Sequence, residues 1–345
     1  MLSGFQFLRG IGLLVVLCTW AAASGCEWVD KVRQQTATPS PTPIKLSGPR
    51  MVVTDRDKGF FTLLPDNLAA TPELFPLAGG ASDVAFDARK ALIYATSPAT
   101  GHLAAFYANG ELAGRLQVGK NPSGVAISRD GEIGYVCNQD SNDISVLDLK
   151  GRHELRRIPC APQPFDVILH PSGSRLYVTL HESGEVAAID TGSLREIGRF
   201  KVGFAPYRMA FDPAGEFLYV AVFDNDEVVV LTPALKGVAR LKTDDGPYAV
   251  AASQAGRIFA TNMQSGSVSV FIRGQWKVDG VTYSVGARPY GLALTPNEAH
   301  LYVALEGDNA VTLRLPSDLS EIATITLPTA PTDVVAVEPA AAAQK

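Results

Sequence analysis

A unit of about 42 residues recurs along most of this chain and limits the folds it can adopt. The segment "LYVTLHESGEVAAID", residues 176–190, places short apolar runs on both sides of a polar stretch. Copies of its tyrosine position occur at residues 52, 94, 135, 177, 219, 259 and 302, in steps of 42, 41, 42, 42, 40 and 43 residues. A second landmark keeps the same period, with proline at 122, 164, 206, 247, 289 and 331 and Ala81 in the first copy. Two independent landmarks in one register indicate seven copies of one structural unit.

Each copy has the pattern of four short strands. In the copy that starts at Pro164, apolar runs at 165–169, 176–179 and 185–190 are separated by turn residues, and a more polar strand follows at 195–202. Asn109-Gly110 in the second copy is a strong signal for a two-residue hairpin. Four strands per unit of this length are typical of a propeller blade. We therefore predict an all-β fold, a seven-bladed β-propeller of four-stranded blades, over residues 49–339.

The two ends of the repeated region complement each other. The first copy, which starts at Met51, lacks a leading strand, and residues 331–339 ("PTDVVAVEP") supply a leading strand with no blade after it. An open ring would leave a strand edge exposed. We expect the C-terminal strand to pair into the first blade and close the ring.

Several features of the repeat resemble the YVTN β-propeller family. They are Tyr177-Val178-Thr179, the Ser-Gly and Asp-Asn turns, the Val-x-x-Ile-Asp strand, and a Pro-x-x-Val leading strand followed by a Pro-x-Gly turn. The match covers residues of about 50–339. It implies a propeller, and its members include periplasmic and surface binding proteins, few of which have a defined activity.

The first 25 residues have the pattern of an export signal. Arg9 precedes an apolar stretch at 11–23, which is short for a membrane span. Ala23-Ser24-Gly25-Cys26 resembles a bacterial lipobox, although leucine is more usual at its first position. The resemblance implies cleavage before Cys26 and lipidation of its sulfur; the alternative is an ordinary secretory signal with an incidental cysteine. Residues 26–48 are expected to form a Thr/Pro/Ser-rich tether, and residues 340–345 a disordered tail.

Composition and motifs exclude several classes of function. The formal net charge is -5 and aromatic residues do not alternate with basic ones, so no nucleic-acid partner is expected. Ligand spacings for zinc or c-type haem, phosphate loops and Gly-x-Ser-x-Gly are missing from the sequence. We expect neither a metal nor another cofactor. Cys137 and Cys160 fall on predicted strands that are not neighbours, which argues against a disulfide.

The candidate site follows from the geometry of a propeller, whose innermost strands line a central channel. The residue after each landmark proline is expected at one mouth of this channel, which places Phe165, Tyr207, Tyr248 and Tyr290 there on four consecutive blades. The next position supplies Asp83, Asp166, Arg208 and Asp333, and a neighbouring loop supplies His181. An aromatic arc beside a charged arc suits an oriented polar ligand. Two structural alternatives remain: the tyrosines wedge the blades apart, or Arg208 pairs with Asp166 as a clamp.

The sequence favours a binding or interaction module over an enzyme, since no catalytic motif is present. We expect a monomer in the bacterial cell envelope, held to the membrane by its lipid and facing the periplasm or the exterior. Its ligand would be a small polar molecule or an envelope protein. One rival is a lactonase-like hydrolase, or an accessory of quinone-cofactor or redox metabolism, in which Asp83, Asp166, His181 and Asp333 supply acid/base or metal-ligand groups. Another is a purely structural envelope protein.

Overall fold

The computed structural model describes residues 50–56, 59–65, 72–276 and 280–337. The predicted signal peptide, the lipidation site Cys26, the tether and the tail lie outside these residues. Nowhere in the described part is there a helix with the length and apolar character needed to cross a bilayer.

The described residues form seven four-stranded antiparallel sheets arranged as a β-propeller, as the repeat predicts. Blade 1 combines β1 Arg50–Thr54, β2 Phe60–Pro65 and β3 Glu73–Pro76 with β28 Asp333–Val337. Blade 2 contains β4 Val84–Asp87, β5 Leu92–Ser97, β6 His102–Tyr107 and β7 Leu112–Gln117. Blade 3 contains β8 Pro122–Ile127, β9 Ile133–Asn138, β10 Asp143–Asp148 and β11 His153–Pro159. Blade 4 contains β12 Pro164–Leu169, β13 Arg175–Leu180, β14 Glu185–Asp190 and β15 Arg195–Lys201. Blade 5 contains β16 Pro206–Phe211, β17 Leu218–Val222, β18 Glu227–Leu231 and β19 Gly237–Lys242. Blade 6 contains β20 Pro247–Ala252, β21 Arg257–Asn262, β22 Ser267–Ile272 and β23 Val281–Ser284. Blade 7 contains β24 Pro289–Leu294, β25 Leu301–Leu305, β26 Ala310–Arg314 and β27 Glu321–Thr326.

The C-terminal strand closes the ring, and this prediction is confirmed. β28 pairs antiparallel with β1, with Val53 opposite Val334 and Met51 opposite Ala336. Just before β28, the Thr332 amide donates to the Thr54 carbonyl at 2.9 Å. The first and last described strands therefore share one blade, and the inner edge of β1 is paired.

The core lies between the blades. The second strands β17 and β25 are buried along their whole length because each blade is covered on both faces by its neighbours. Tyr177 and Tyr219, which occupy the tyrosine position of the repeat, are fully buried. The outer strand β15 is mostly exposed, which explains its polar sequence.

A hydroxyl group at the end of the second strand links neighbouring blades. Thr179 Oγ1 accepts the Asp166 amide of its own blade and donates to the Tyr207 carbonyl of the next blade, both at 2.9 Å. Equivalent donations run from Thr96 to the Ser123 carbonyl at 2.7 Å and from Thr261 to the Tyr290 carbonyl at 2.6 Å. The threonine of the repeat is thus a fastener between blades.

Three blades depart from this pattern, with Cys137, Ala221 and Ala304 in place of the threonine in blades 3, 5 and 7. In blade 3 the Ser123 hydroxyl on β8 donates to the Phe165 carbonyl at 2.6 Å and supplies a link to blade 4. Cys137 is a buried free thiol, and Cys160 is a half-buried free thiol.

Candidate functional site

An aromatic cluster covers one end of the channel. Phe165, Tyr207, Tyr248 and Tyr290 begin the inner strands of blades 4 to 7, so their rings lie at one level on adjacent blades. Ring centroids are 4.9 Å apart for Phe165 and Tyr207, 4.8 Å for Tyr207 and Tyr248, and 4.6 Å for Tyr248 and Tyr290. Phe165 and Tyr248 are buried, whereas Tyr207 and Tyr290 are half-buried. The accessible part of the aromatic cluster is therefore formed by Tyr207 and Tyr290.

His181 packs against this cluster from the loop between β13 and β14. Its ring centroid is 4.9 Å from that of Tyr207 and 6.3 Å from that of Phe165. Burial lowers the pKa of His181, although the charges of Asp224 and Glu182 oppose the shift. His181 Nε2 is buried and has no hydrogen-bond partner among the described residues. The imidazole is accordingly neutral at pH 7 and contributes mainly packing area.

One residue further along the inner strands, Arg208 joins three carboxyl groups across the channel. Arg208 Nη1 lies 2.8 Å from Asp83 Oδ1 and 3.4 Å from Asp166 Oδ1, and Nη2 lies 2.9 Å from Asp333 Oδ2. The Arg208 side chain is 12% exposed, and those of the three aspartates are 4–11% exposed. We call these four residues the Arg208 layer. The sequence placed them around an opening, and the structure places them inside the channel, beneath the aromatic cluster.

The aspartates of this layer also hold adjacent inner strands together. Asp83 Oδ2 accepts the Val125 amide at 2.7 Å, and Asp166 Oδ2 accepts the Met209 amide at 2.8 Å. Between these pairs, Gly124 lets β8 approach β12 closely, since a Cβ atom there would lie 2.8 Å from the Asp166 Cα. The geometry favours the structural alternative, in which Arg208 pairs with Asp166. The pairing is more extensive than expected, because Arg208 contacts all three aspartates.

The Arg208 layer contains three carboxyl groups for one cation. Burial raises the pKa of Asp166 to about 6 and that of Asp333 to about 8, while Arg208 opposes both shifts. A hydrogen bond with Asp83 adds to the rise at Asp333. Burial acts to lower the pKa of Arg208, but the three aspartates, Asp333 foremost, hold it well above its usual value. The raised pKa of Asp333 favours its neutral form, which relieves the excess of negative charge in the layer.

Beyond the Arg208 layer the channel continues as a cavity of about 250 Å³, and the four residues of the layer form part of its lining. Its walls include Val125, Val167, Met209, Leu292 and Val335 from the inner strands. The cavity extends away from the aromatic cluster, so the Arg208 layer separates the two. In the part of the chain that the structure describes, no group of three or more His, Cys, Asp or Glu side chains is arranged to hold a metal ion.

A polar groove of about 790 Å³ lies on the same face as the aromatic cluster, over blades 1 to 3. Arg56, Thr100, Lys120, Asn121 and Ser141 contribute to its lining. Lys120 and Asn121 are not among the site residues predicted from the sequence. A usable signal was present, because Gly119-Lys120-Asn121 directly precedes the landmark Pro122 and so falls in a loop on the mouth face.

The comparisons with known proteins identify the fold. No protein-family model matches the sequence, and no curated protein matches it. Among solved structures, the periplasmic gluconolactonase of Pseudomonas aeruginosa is 14% identical, with 85% of this chain and 99% of that chain covered and a TM-score of 0.72. A putative 6-phosphogluconolactonase from Bacteroides fragilis is 16% identical, with 85% and 98% covered and a TM-score of 0.72. The dihydro-heme d1 dehydrogenase NirN is 14% identical, with 83% and 74% covered and a TM-score of 0.62. At these identities the likeness concerns the propeller fold alone.

Proposed function

We propose that this protein is an exported, lipid-anchored propeller of the YVTN type that acts as a binding module through its mouth face. The observation that carries the proposal is the aromatic cluster, whose half-buried Tyr207 and Tyr290 rings lie on a rigid ring of blades. Aromatic rings with a polar edge provide large contact area at low entropic cost. The protein is expected to work as a monomer at the envelope membrane, tethered through Cys26.

The chemistry of the mouth face favours a small ligand with both a ring and polar groups, or a partner that presents such a group. Tyr207 and Tyr290 offer ring faces and hydroxyl groups. Burial raises the pKa of Tyr207, and Arg56 from blade 1 is close enough for its charge to oppose this shift. A ligand stacked on the tyrosines would thus have a cation within reach on the opposite side of the mouth.

The binding role is tested by replacing the accessible rings. The full chain is purified from crosslinked native membranes, and co-purified ligands or proteins are identified by mass spectrometry. The Tyr207→Leu/Tyr290→Leu variant keeps apolar bulk but removes the ring faces and hydroxyl groups. It should no longer co-purify with the ligand or protein that the wild type binds. Tyr283→Leu on the outer strand β23 is the matched control and should retain it. Equal recovery from wild type and double variant would contradict the mouth-face assignment.

The membrane anchor has a separate test. Metabolic labelling with a fatty acid should mark the wild-type protein, and Cys26→Ser should abolish the label and release the protein from membranes. Labelling that persists in Cys26→Ser would contradict the lipobox interpretation.

A lactonase-like hydrolase is a second candidate, favoured by the two carboxyl groups with raised pKa, Asp166 and Asp333. Two of the similar solved structures are described as lactonases. The aromatic cluster blocks access from the mouth face, so a substrate would have to reach Asp166 and Asp333 from the cavity on the other side of the Arg208 layer. Hydrolysis of gluconolactone by the purified chain above the buffer rate, lost in Asp166→Asn with the fold retained, would favour this candidate over the binding module.

A further inference from the structure

The polar groove on the mouth face is a separate space from the aromatic cluster, none of whose four rings lines it. Loops from three blades surround it: Arg56 follows β1, Pro98–Gly101 connect β5 to β6, Val118–Asn121 connect β7 to β8, and Asp140 and Ser141 connect β9 to β10. Its volume of about 790 Å³ lies within the range of small-molecule sites, roughly 300–1,000 Å³. The groove is therefore large enough for a whole small ligand.

The groove carries positive charge on a protein whose formal net charge is -5. Its charged lining consists of Arg56, Lys120, Arg157 and one carboxylate, Asp140. Arg157 is already paired with Glu154 at 3.0 Å and Asp143 at 3.4 Å. Among the described residues, no carboxylate lies within ion-pair distance of Arg56 or Lys120. Two cations thus remain available to a ligand.

Asp140 lies beside Lys120, since its backbone amide donates to the Lys120 carbonyl at 3.3 Å, and its carboxylate accepts a hydrogen bond from Asn121. Asn121, in a left-handed conformation with φ of 51°, directs its side-chain amide to Asp140 Oδ1 at 3.3 Å and to Gln139 Oε1 at 3.1 Å. The Lys120 backbone amide donates to Ser141 Oγ at 2.8 Å, which fixes the loop from which the exposed ammonium group extends. Behind Asn121, Gln139 Nε2 is buried and has no acceptor among the described residues. At this end of the groove Asn121 thus occupies one oxygen of Asp140, and the Lys120 ammonium group stays exposed.

We infer that the groove binds a small organic anion through a carboxylate or phosphate group held by Lys120 and Arg56. Charge-assisted hydrogen bonds to ammonium and guanidinium groups recognise both kinds of anion. The inference rests on the proposed mouth-face function and adds the ligand class, a ring-bearing acid whose ring reaches the aromatic cluster and whose anionic group lies in the groove. Arg56 connects the two regions, since it lines the groove and acts electrostatically on Tyr207.

The test titrates the full chain with citrate and, separately, with inorganic phosphate in an isothermal calorimeter, at low and high salt. We expect saturable binding that weakens with salt. Loss of one charge-assisted contact in Lys120→Gln should weaken it by about tenfold. Lys120→Gln/Arg56→Gln should weaken it further. Preference for citrate or for phosphate distinguishes a carboxylate ligand from a phosphate ligand.

Arg129→Gln is the matched control, because Arg129 is an exposed cation in a polar groove on the opposite face. It should leave both titrations unchanged. Failure of both anions to bind below about 10 mM, a range weaker than about 3 kcal/mol, would overturn the inference. So would equal weakening by Arg129→Gln, which would indicate unspecific attraction.

The outcomes also separate the inference from the proposed function. If Tyr207→Leu/Tyr290→Leu loses the native ligand while Lys120→Gln/Arg56→Gln keeps it, the mouth-face function stands and the anion inference fails. If the anions bind at Lys120 while the tyrosine variant keeps the native ligand, the aromatic assignment fails instead.

Discussion

Arg208 pairs with carboxyl groups of three other blades across the channel. Its guanidinium group comes from blade 5 and reaches aspartates of blades 1, 2 and 4. The three carboxyl groups depend on this one cation, because removal of Arg208 would leave buried carboxylates in a medium that solvates them poorly. The layer is therefore a point at which single substitutions should have large effects.

Arg208→Ala should destabilise the fold by about 3–5 kcal/mol, the usual cost of a broken buried ion pair. Chemical denaturation followed by tryptophan fluorescence measures the change. Arg240→Ala is the control, since Arg240 pairs with Glu227 at the surface, and it should cost less than about 1 kcal/mol. Similar losses in the two variants would contradict the central role of Arg208.

The raised pKa values in the Arg208 layer predict an unusual pH dependence. An ordinary aspartate has a pKa of 3.8, whereas that of Asp166 is about 6 and that of Asp333 about 8. At pH values between the ordinary and the raised pKa of each group, the folded chain binds more protons than the unfolded chain. The free energy of unfolding should therefore decrease as pH rises from about 4 to about 8. Each group contributes a slope of up to about 1.4 kcal/mol per pH unit in its own window.

Asp333→Asn should flatten this profile, because the amide stays neutral at every pH. The variant should be more stable than the wild type at pH 8.5 and similar at pH 5, as measured by the midpoint of thermal unfolding. Glu321→Gln on the outer strand β27 serves as the control and should keep the wild-type slope. A wild-type stability that increases from pH 5 to pH 8 would contradict the assignment.

At the scale of the element, a threonine on the second strand bonds blades 2, 4 and 6 to the blade that follows. The hydroxyl of Thr179 satisfies an amide of its own blade and a carbonyl of the next. Where Cys137 replaces this threonine, Ser123 supplies an interblade bond from a different strand. The fastener is thus a property of the blade interface rather than of one sequence position.

Thr179→Val should cost about 1–3 kcal/mol, because the isosteric side chain leaves two buried backbone groups without a partner. Thr179→Ser should recover most of the loss. Thr324→Val on the exposed strand β27 is the control, and surface changes of this kind stay within about 0.5 kcal/mol. Denaturant titration of the three variants measures the difference, and a neutral Thr179→Val would show that the bond adds little.

At the scale of the whole molecule, closure depends on the pairing of β28 with β1. Blade 1 obtains its inner strand from the end of the chain, so the ring is held by residues nearly 290 positions apart. Without β28, the inner edge of β1 would lose its partner, and unpaired edges promote aggregation.

A chain ending at Thr332 should therefore unfold at a lower temperature and form oligomers on size-exclusion chromatography. A chain ending at Val337 keeps β28 and should behave as the full chain does. If the shorter chain remained monomeric with an unchanged unfolding midpoint, closure by β28 would not be what stabilises the ring.

The sequence by itself determined the architecture. The spacing of tyrosine and proline along the chain gave the number of blades, and the strand left over after Pro331 gave the closure. The position of Phe165, Tyr207, Tyr248 and Tyr290 directly after the landmark prolines placed these rings at one level. These features are local and periodic, so the pattern of the chain contains them.

Only the tertiary structure determined which side chains meet inside the channel. Arg208 and Asp333 are 125 residues apart and lie on blades that are not adjacent, yet they meet at 2.9 Å. Arg56 and Lys120, which are distant in sequence, likewise line one groove. Such contacts depend on the width of the channel and on where each side chain points, and a repeat pattern fixes neither. The repeat period of the sequence determines the number and order of the blades. The distances across the channel determine which of their side chains interact.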